Sequence, residues 1–251
     1  MAGQQTSIAS LGEETGMDAR ATFRYSIHTT LQDMDRRTCR RISLLEWAHA
    51  ADAWILEDDY DSEFRYVGRP LAALQGLDMA NRVIYLGTFS KVLFPALRLG
   101  YLVVPPDLVG AFIAAHLFTD MHCPVLEQSV LAAFINEGHF ARHIRRMRLL
   151  YSERQAALVN LVEQELAGLL DIQPAAAGMH LIGWLPWGWD DRQVARAAAS
   201  ASVDVSPLSL YSLEAGERPG ILLGYTAVDA QEMRAGIHRL ASALTSSKRD
   251  T

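Results

Sequence analysis

Three short apolar runs, each bordered by chemistry-bearing side chains, constrain the fold of this chain more than any other feature. Trp54-Ile-Leu56 leads into Glu57-Asp58-Asp59-Tyr60. Val83–Leu86 leads through Gly-Thr-Phe-Ser90 into Lys91, and Leu99–Val104 follows Arg98. Near-continuous apolar runs of this length are the pattern of strands buried on both faces of a mostly parallel sheet. Helical periodicity fills the intervals. A helix is expected from Met34 to about Asp52, on an apolar stripe of Ile42, Leu45 and Ala48 with Leu44 and Trp47. Others are expected over Pro106–Phe118, Val125–Asn136 and Phe140 to about Leu166, where Gly168 supplies a stop.

Beyond that long helix the pattern continues with strand Met179–Trp184, helix Asp191–Ser202, strands Val203–Val205 and Ile221–Tyr225, and helix Ala230–Leu244. The fold class is therefore α/β, with a boundary near residue 150 inside the long helix. Residues 1–22 are polar and aperiodic and are expected to be disordered or weakly ordered. Residues 23–150 would form a large, mostly parallel domain and 151–251 a small α/β domain.

Bulk properties exclude several functions. The 251 residues are 50% hydrophobic, enough for a sizeable core, and carry a net charge of −6 without a basic block, which argues against nucleic-acid binding. Two separated cysteines, no apolar run long enough to span a bilayer and no signal-peptide pattern point to a cytoplasmic protein.

The chemistry concentrates at the strand ends. Lys91 lies among apolar residues, where burial of a charged amine is costly and desolvation favours the free base. A free amine is what Schiff-base chemistry requires. Asp58, 33 residues earlier at the end of another strand, could keep a pyridine nitrogen protonated. Each residue alone has an ordinary reading: a loop lysine, solvated strand-end acids, a surface arginine at 98. Together, an acid (Asp58), a phenol (Tyr60), hydroxyls (Thr88, Ser90), an amine (Lys91) and a guanidinium (Arg98) at the carboxyl ends of strands suggest pyridoxal 5′-phosphate (PLP) chemistry.

The runs Ile55-Leu-Glu-Asp-Asp-Tyr-Asp-Ser-Glu-Phe-Arg-Tyr66, Tyr85-Leu-Gly-Thr-Phe-Ser-Lys91, Leu97-Arg-Leu-Gly-Tyr101 and Gly138-His-Phe-Ala-Arg-His-Ile-Arg-Arg-Met-Arg148 resemble the aminotransferase-like domain of MocR/GabR-type transcriptional regulators, within the fold type I PLP-dependent enzymes. The resemblance extends from about Leu44 to Leu244. It implies that Lys91 forms the internal aldimine, Asp58 pairs with the pyridine nitrogen, Tyr60 hydrogen-bonds the phenolic oxygen, and Thr88, Ser90 and Arg98 lie near the phosphate. It further implies a homodimer that senses a small amino compound.

Three departures accompany the resemblance. No segment resembles the family's N-terminal winged helix–turn–helix, so no direct DNA binding by this chain is expected. The family's early Gly/Ser-rich phosphate cup and ring-stacking aromatic have no counterpart, and in Ser26-Ile-His-Thr-Thr-Leu-Gln-Asp33 only His28 matches. Leu222 stands where an arginine would clamp a substrate carboxylate; Arg142 and Arg145 read as a solvated helix face and His180 as a core histidine. The chain thus reads as a truncated, PLP-binding effector domain of a regulator, with a working amino-acid aminotransferase and an inactive remnant as the alternatives.

Overall fold

The computed structural model describes residues 22–26, 34–211 and 218–247. The expectations for residues 1–21, and for His28 within 27–33, lie outside them. The described residues fall into two units. The first holds 22–26, 34–63 and 69–145; the second holds Phe64–Gly68, 146–211 and 218–247.

The first unit is built on a four-stranded sheet of order β1-β2-β3-β4, with β1 Thr22–Ser26, β2 Trp54–Asp59, β3 Val83–Thr88 and β4 Gly100–Val103. β1, β2 and β3 run parallel and β4 is antiparallel to β3. Side chains alternate across a strand. Ile55, Glu57 and Asp59 therefore share one face of β2, while Leu56 and Asp58 share the other.

Helix α1, Met34–Ala50, covers the first of these faces. Ala48, Ile55, Leu74 and Val83 form a buried cluster with Leu44 and Leu45 against it. The stripe of α1 is rotated from the expected one. Arg41 and Ala48 are buried, whereas Ile42 and Trp47 are exposed. The reason is Glu57, which is fully buried and draws Arg41 inward to 4.0 Å. Arg41 also donates to the Ala72 carbonyl at 2.6 Å.

The expectation that all three apolar strands are buried on both faces is not met. The residues of β4 are all exposed, and Leu56 and Leu86 are only half-buried. β4 is an edge strand among the described residues, and its apolar run reflects strand propensity rather than double-sided burial. Helices α2 (Val109–Thr119) and α3 (Val125–Asn136) likewise leave Ile113, Leu117, Phe118, Val125, Leu126 and Val130 exposed. Pro106–Leu108, expected as the first turn of α2, is a separate 3₁₀ turn.

Helix α4 runs from His139 to Glu165, and Gly168 adopts φ +76° shortly after it. The second unit carries an antiparallel sheet of order β5-β6-β8-β7: β5 Asp171–Ile172, β6 His180–Trp184, β7 Ser206–Pro207 and β8 Gly220–Gly224. Helices α5 (Asp191–Ser200) and α6 (Ala230–Ser247) complete it. Asp190 caps α5 by accepting from the Arg192 and Gln193 amides. The expected strand Val203–Val205 is not formed; pairing with β8 begins at Ser206, because Val203 closes the end of α5 through its amide to the Ala198 carbonyl.

The core of the second unit gathers Leu158, Val162, Leu166, Leu181, Ile221, Tyr225, Ile237 and Leu240. Phe64–Gly68 is part of this unit. Phe64 packs edge-on to Tyr151 at 5.1 Å, Arg65 bridges Ala177, and the Tyr66 hydroxyl donates to the Gly178 carbonyl at 2.7 Å.

Candidate cofactor site

The parallel pairing of β2 with β3 sets Asp58 beside Leu86 and Asp59 beside Gly87. The carboxyl ends of both strands therefore end side by side. Asp58 and Thr88 share the sheet face opposite α1, and both are half-buried. Tyr60 follows β2 directly and is half-buried as well.

Ser90 and Lys91 occupy the turn after β3. The Ser90 amide donates to Thr88 Oγ1 at 3.2 Å, and the Leu93 amide returns to the Phe89 carbonyl at 2.8 Å. Val92 is buried and anchors the turn. Its carbonyl lies 3.0 Å from His143 Nε2 on α4, so that ring nitrogen carries the proton and donates. Phe89 packs edge-on to Phe140, with 6.0 Å between ring centres. His143 and Phe140 thus position the lysine turn. Sequence reasoning missed this role, although both belong to the Gly138–Arg148 motif it quoted.

Arg98 lies two residues before β4. The Phe89 amide donates to the Leu99 carbonyl at 3.0 Å, which continues the β3–β4 ladder outward to the residue that follows Arg98. Arg98 has φ +50°, a left-handed conformation that costs a non-glycine residue about 1 kcal/mol. Tyr101 lies over Gly87: a Cβ there would sit 2.3 Å from its ring.

Lys91 differs from its sequence expectation. It is exposed, so the desolvation argued from its apolar neighbours is not present in this chain. Those neighbours are divided: Val92 turns inward while Phe94 is 53% exposed. Arg98 is exposed too.

The acid strand end divides by face. Glu57, on the α1 side, accepts from the Leu74 and Gln75 amides at 2.6 and 2.9 Å, and its carboxyl is held above the ordinary value, chiefly by burial. Asp59 accepts from the Tyr85 hydroxyl at 2.8 Å and from the Ser62 amide at 3.2 Å. Burial first, and then Asp59, push the Tyr85 hydroxyl up.

Asp61, which sequence reasoning passed over, is buried, and its Oδ2 has no hydrogen-bond partner among the described residues. Burial, and after it the charge of Asp59, raise this carboxyl to about 7. The signal was the density of acids: Glu57, Asp58, Asp59, Asp61 and Glu63 fall within seven positions, and so many neighbouring carboxylates resist ionising together. A folded-state value raised from 3.8 to about 7 gives stability that is full below pH 4 and lost as pH rises toward 7. Asp61→Asn should stabilise the chain at pH 8 by about 2–4 kcal/mol relative to wild type, and hardly at all at pH 4. Urea unfolding at the two pH values measures this; an equal effect at both would refute a protonated Asp61.

In the second unit Leu222, the residue at the expected arginine position, is buried on β8 and paired with Ile182 and Ser206. His180 is half-buried rather than a core residue. Arg142 and Arg145 are exposed on α4, as their solvated-face reading requires; Arg142 turns back to His139 Nδ1 at 3.0 Å.

No protein-family profile matches the chain. It is 47% identical over 203 residues to the probable rhizopine catabolism regulatory protein MocR of Rhizobium meliloti, covering 81% of this chain and 41% of that protein. It is 38% identical to the HTH-type transcriptional regulator YhdI of Bacillus subtilis, over 81% of this chain and 44% of the regulator. The chain therefore spans less than half the length of these regulators. A crystal structure of Pyrococcus horikoshii kynurenine aminotransferase, in complex with PMP, superposes with a TM-score of 0.75 at 31% identity, over 83% of this chain and 52% of the enzyme. The fold is that of the fold type I PLP-dependent aminotransferases.

Proposed function

We propose that this chain, which belongs with the aminotransferase-like domains of MocR-type regulators, binds PLP at the ends of β2 and β3 and senses an amino compound through it. One observation carries the reading. The segment from Leu86 to Gly100 contains no acid, yet brings two hydroxyls, an amine and a guanidinium to one edge, beside the half-buried Asp58 of the neighbouring strand. That donor set fits a phosphate ester and an aldehyde, and the acid fits a pyridine nitrogen. The PMP held by the Pyrococcus enzyme supports the same cofactor class.

PLP, when bound, supplies an aldehyde that condenses with amines and a ring that draws electrons from the attached carbon. Lys91 presents the amine. Asp58 holds a proton at the ring nitrogen, and Tyr60 offers its hydroxyl to the phenolic oxygen. Arg98 takes the phosphate by its planar fork, with Thr88 and Ser90 adding neutral donors. The apolar Leu222 disfavours a full aminotransferase, because no guanidinium stands at that position to orient an amino-acid carboxylate. A cytoplasmic homodimer without DNA contact of its own completes the proposal; the net charge of −6 supports the last point.

The test is to mix the purified chain with PLP, reduce with borohydride and locate the label by peptide mass spectrometry. A visible absorbance band and a single label on Lys91 are expected. Adding L-alanine should then shift the band without releasing pyruvate. Label on Lys248, the chain's other lysine, or no label, would overturn the cofactor assignment, and steady pyruvate release would favour the enzyme.

A further inference from the structure

Outside the cofactor site, one cluster of reactive side chains has no assigned use. Helix α2 ends at Thr119 and is capped by Asp120, whose amide returns to the His116 carbonyl at 3.0 Å. Met121 then takes φ +57°, a left-handed step that reverses the chain, and the His122 amide closes on the Asp120 carbonyl at 2.6 Å. Cys123 comes next, immediately before Pro124, the N-cap of α3. The reversal returns Cys123 to the last turn of α2.

Three groups line up there. Cys123 Sγ is 2.9 Å from His116 Nε2. Asp120 Oδ2 is 3.3 Å from the other ring nitrogen, Nδ1, at the i,i+4 spacing that aligns side chains on a helix. The carboxylate therefore favours the proton on Nδ1 and leaves Nε2 as an acceptor facing the thiol. All three are open to solvent: the side chains of His116 and Asp120 are 47% and 68% exposed, and Cys123 is exposed. An exposed ion pair of this kind contributes little to stability. Nucleophile, base and orienting acid in sequence are, however, the arrangement of an activated thiol.

We propose that Cys123, His116 and Asp120 form a thiol–imidazole–carboxylate relay that makes Cys123 a site of oxidation by hydroperoxides. His116 Nε2 takes the thiol proton, and the thiolate attacks one peroxide oxygen. An S–O bond forms as the O–O bond breaks. The departing oxygen takes the proton from the imidazolium and leaves as water or an alcohol. Sulfur is oxidised by two electrons to sulfenic acid and the hydroperoxide is reduced by two, so the step needs no other reactant. A small-molecule thiol would return the sulfenic acid through a mixed disulfide. The new polar group would stand among the exposed Leu117, Phe118, Met121, Val125 and Leu126, and would change the character of that apolar surface.

Cys39, exposed on α1, is an internal reference. The full chain is treated with hydrogen peroxide in the presence of dimedone, and adducts at both cysteines are timed by mass spectrometry. Cys123 should trap about tenfold faster than Cys39 or more. His116→Gln should bring it down to the rate of Cys39, and Asp120→Asn should place it between. Circular dichroism confirms that both variants keep their helices. Equal trapping of the two cysteines in the wild-type chain, or an unchanged Cys123 rate in a folded His116→Gln variant, would overturn the relay.

Discussion

Replacing Lys91 with alanine should abolish the borohydride-stable PLP label and its visible band completely. The turn at Ser90–Leu93 presents the exposed amine of Lys91 at the end of β3, and no other residue from Leu86 to Gly100 carries one. Arg98 separates covalent attachment from retention. Arg98→Ala should leave Lys91 chemically competent but weaken PLP affinity about ten- to a hundredfold, the worth of one charge-assisted contact to phosphate. Arg98→Gly should weaken it equally while being more stable than the alanine variant by about 1 kcal/mol, because glycine accepts the φ of +50° without strain. Equilibrium titration followed by absorbance, with thermal unfolding of both variants, reads the two effects independently. Persistent labelling in Lys91→Ala would remove the basis of the proposed function. Arg98→Ala with unchanged affinity would place the phosphate elsewhere.

How much of this was legible in the sequence depends on whether the cause was local. β2 and β3 announce themselves because apolar runs of Val, Ile and Leu suit strands, although β2 continues through Glu57, Asp58 and Asp59 and β3 through Thr88. The bounds of α3 emerge at the residues expected, Val125–Asn136. The errors arise where a distant group decides. The buried face of α1 is set by Glu57, so a charged residue, Arg41, turns inward while Ile42 and Trp47 do not. Tyr66 joins the second unit through Gly178, more than a hundred positions away, which no local pattern could signal. At the site, Asp58, Thr88, Ser90, Lys91 and Arg98 are proposed from residue type and spacing together with the family resemblance, and the structure places them at strand ends and the turns beside them. Their exposure was not readable, because apolar neighbours in sequence say little about which side of a turn faces solvent. His143 and Phe140 were unreadable as positioning residues for the same reason: their partners, Val92 and Phe89, are some fifty residues away in the chain.

The second large effect is expected at Glu57, one residue from the site and on the opposite face of the sheet. Its carboxylate accepts from the Leu74 and Gln75 amides at the start of the 3₁₀ turn Gln75–Leu77 and faces the buried Arg41. Truncation to alanine leaves one buried and one part-buried N–H donor and a buried guanidinium without their acceptor. Each orphaned amide costs about 1–3 kcal/mol and the uncompensated cation adds to that, so Glu57→Ala should destabilise the first unit by about 3–5 kcal/mol. That is a large share of the about 5–15 kcal/mol available to a whole domain. Glu57→Gln keeps one acceptor oxygen and the side-chain volume, and should lose about half as much. The burial that raises the Glu57 carboxyl works against the ionised form, but the amides at 2.6 and 2.9 Å supply the compensating contacts, and truncation loses both at once. Since β2 carries Asp58 on its other face, the same variant should also lose PLP binding at temperatures where Asp58→Ala remains folded and still labels at Lys91. Urea unfolding alongside the labelling assay distinguishes the outcomes. A stable Glu57→Ala that binds PLP normally would mean that α1 and the Leu74 turn do not hold β2 in place.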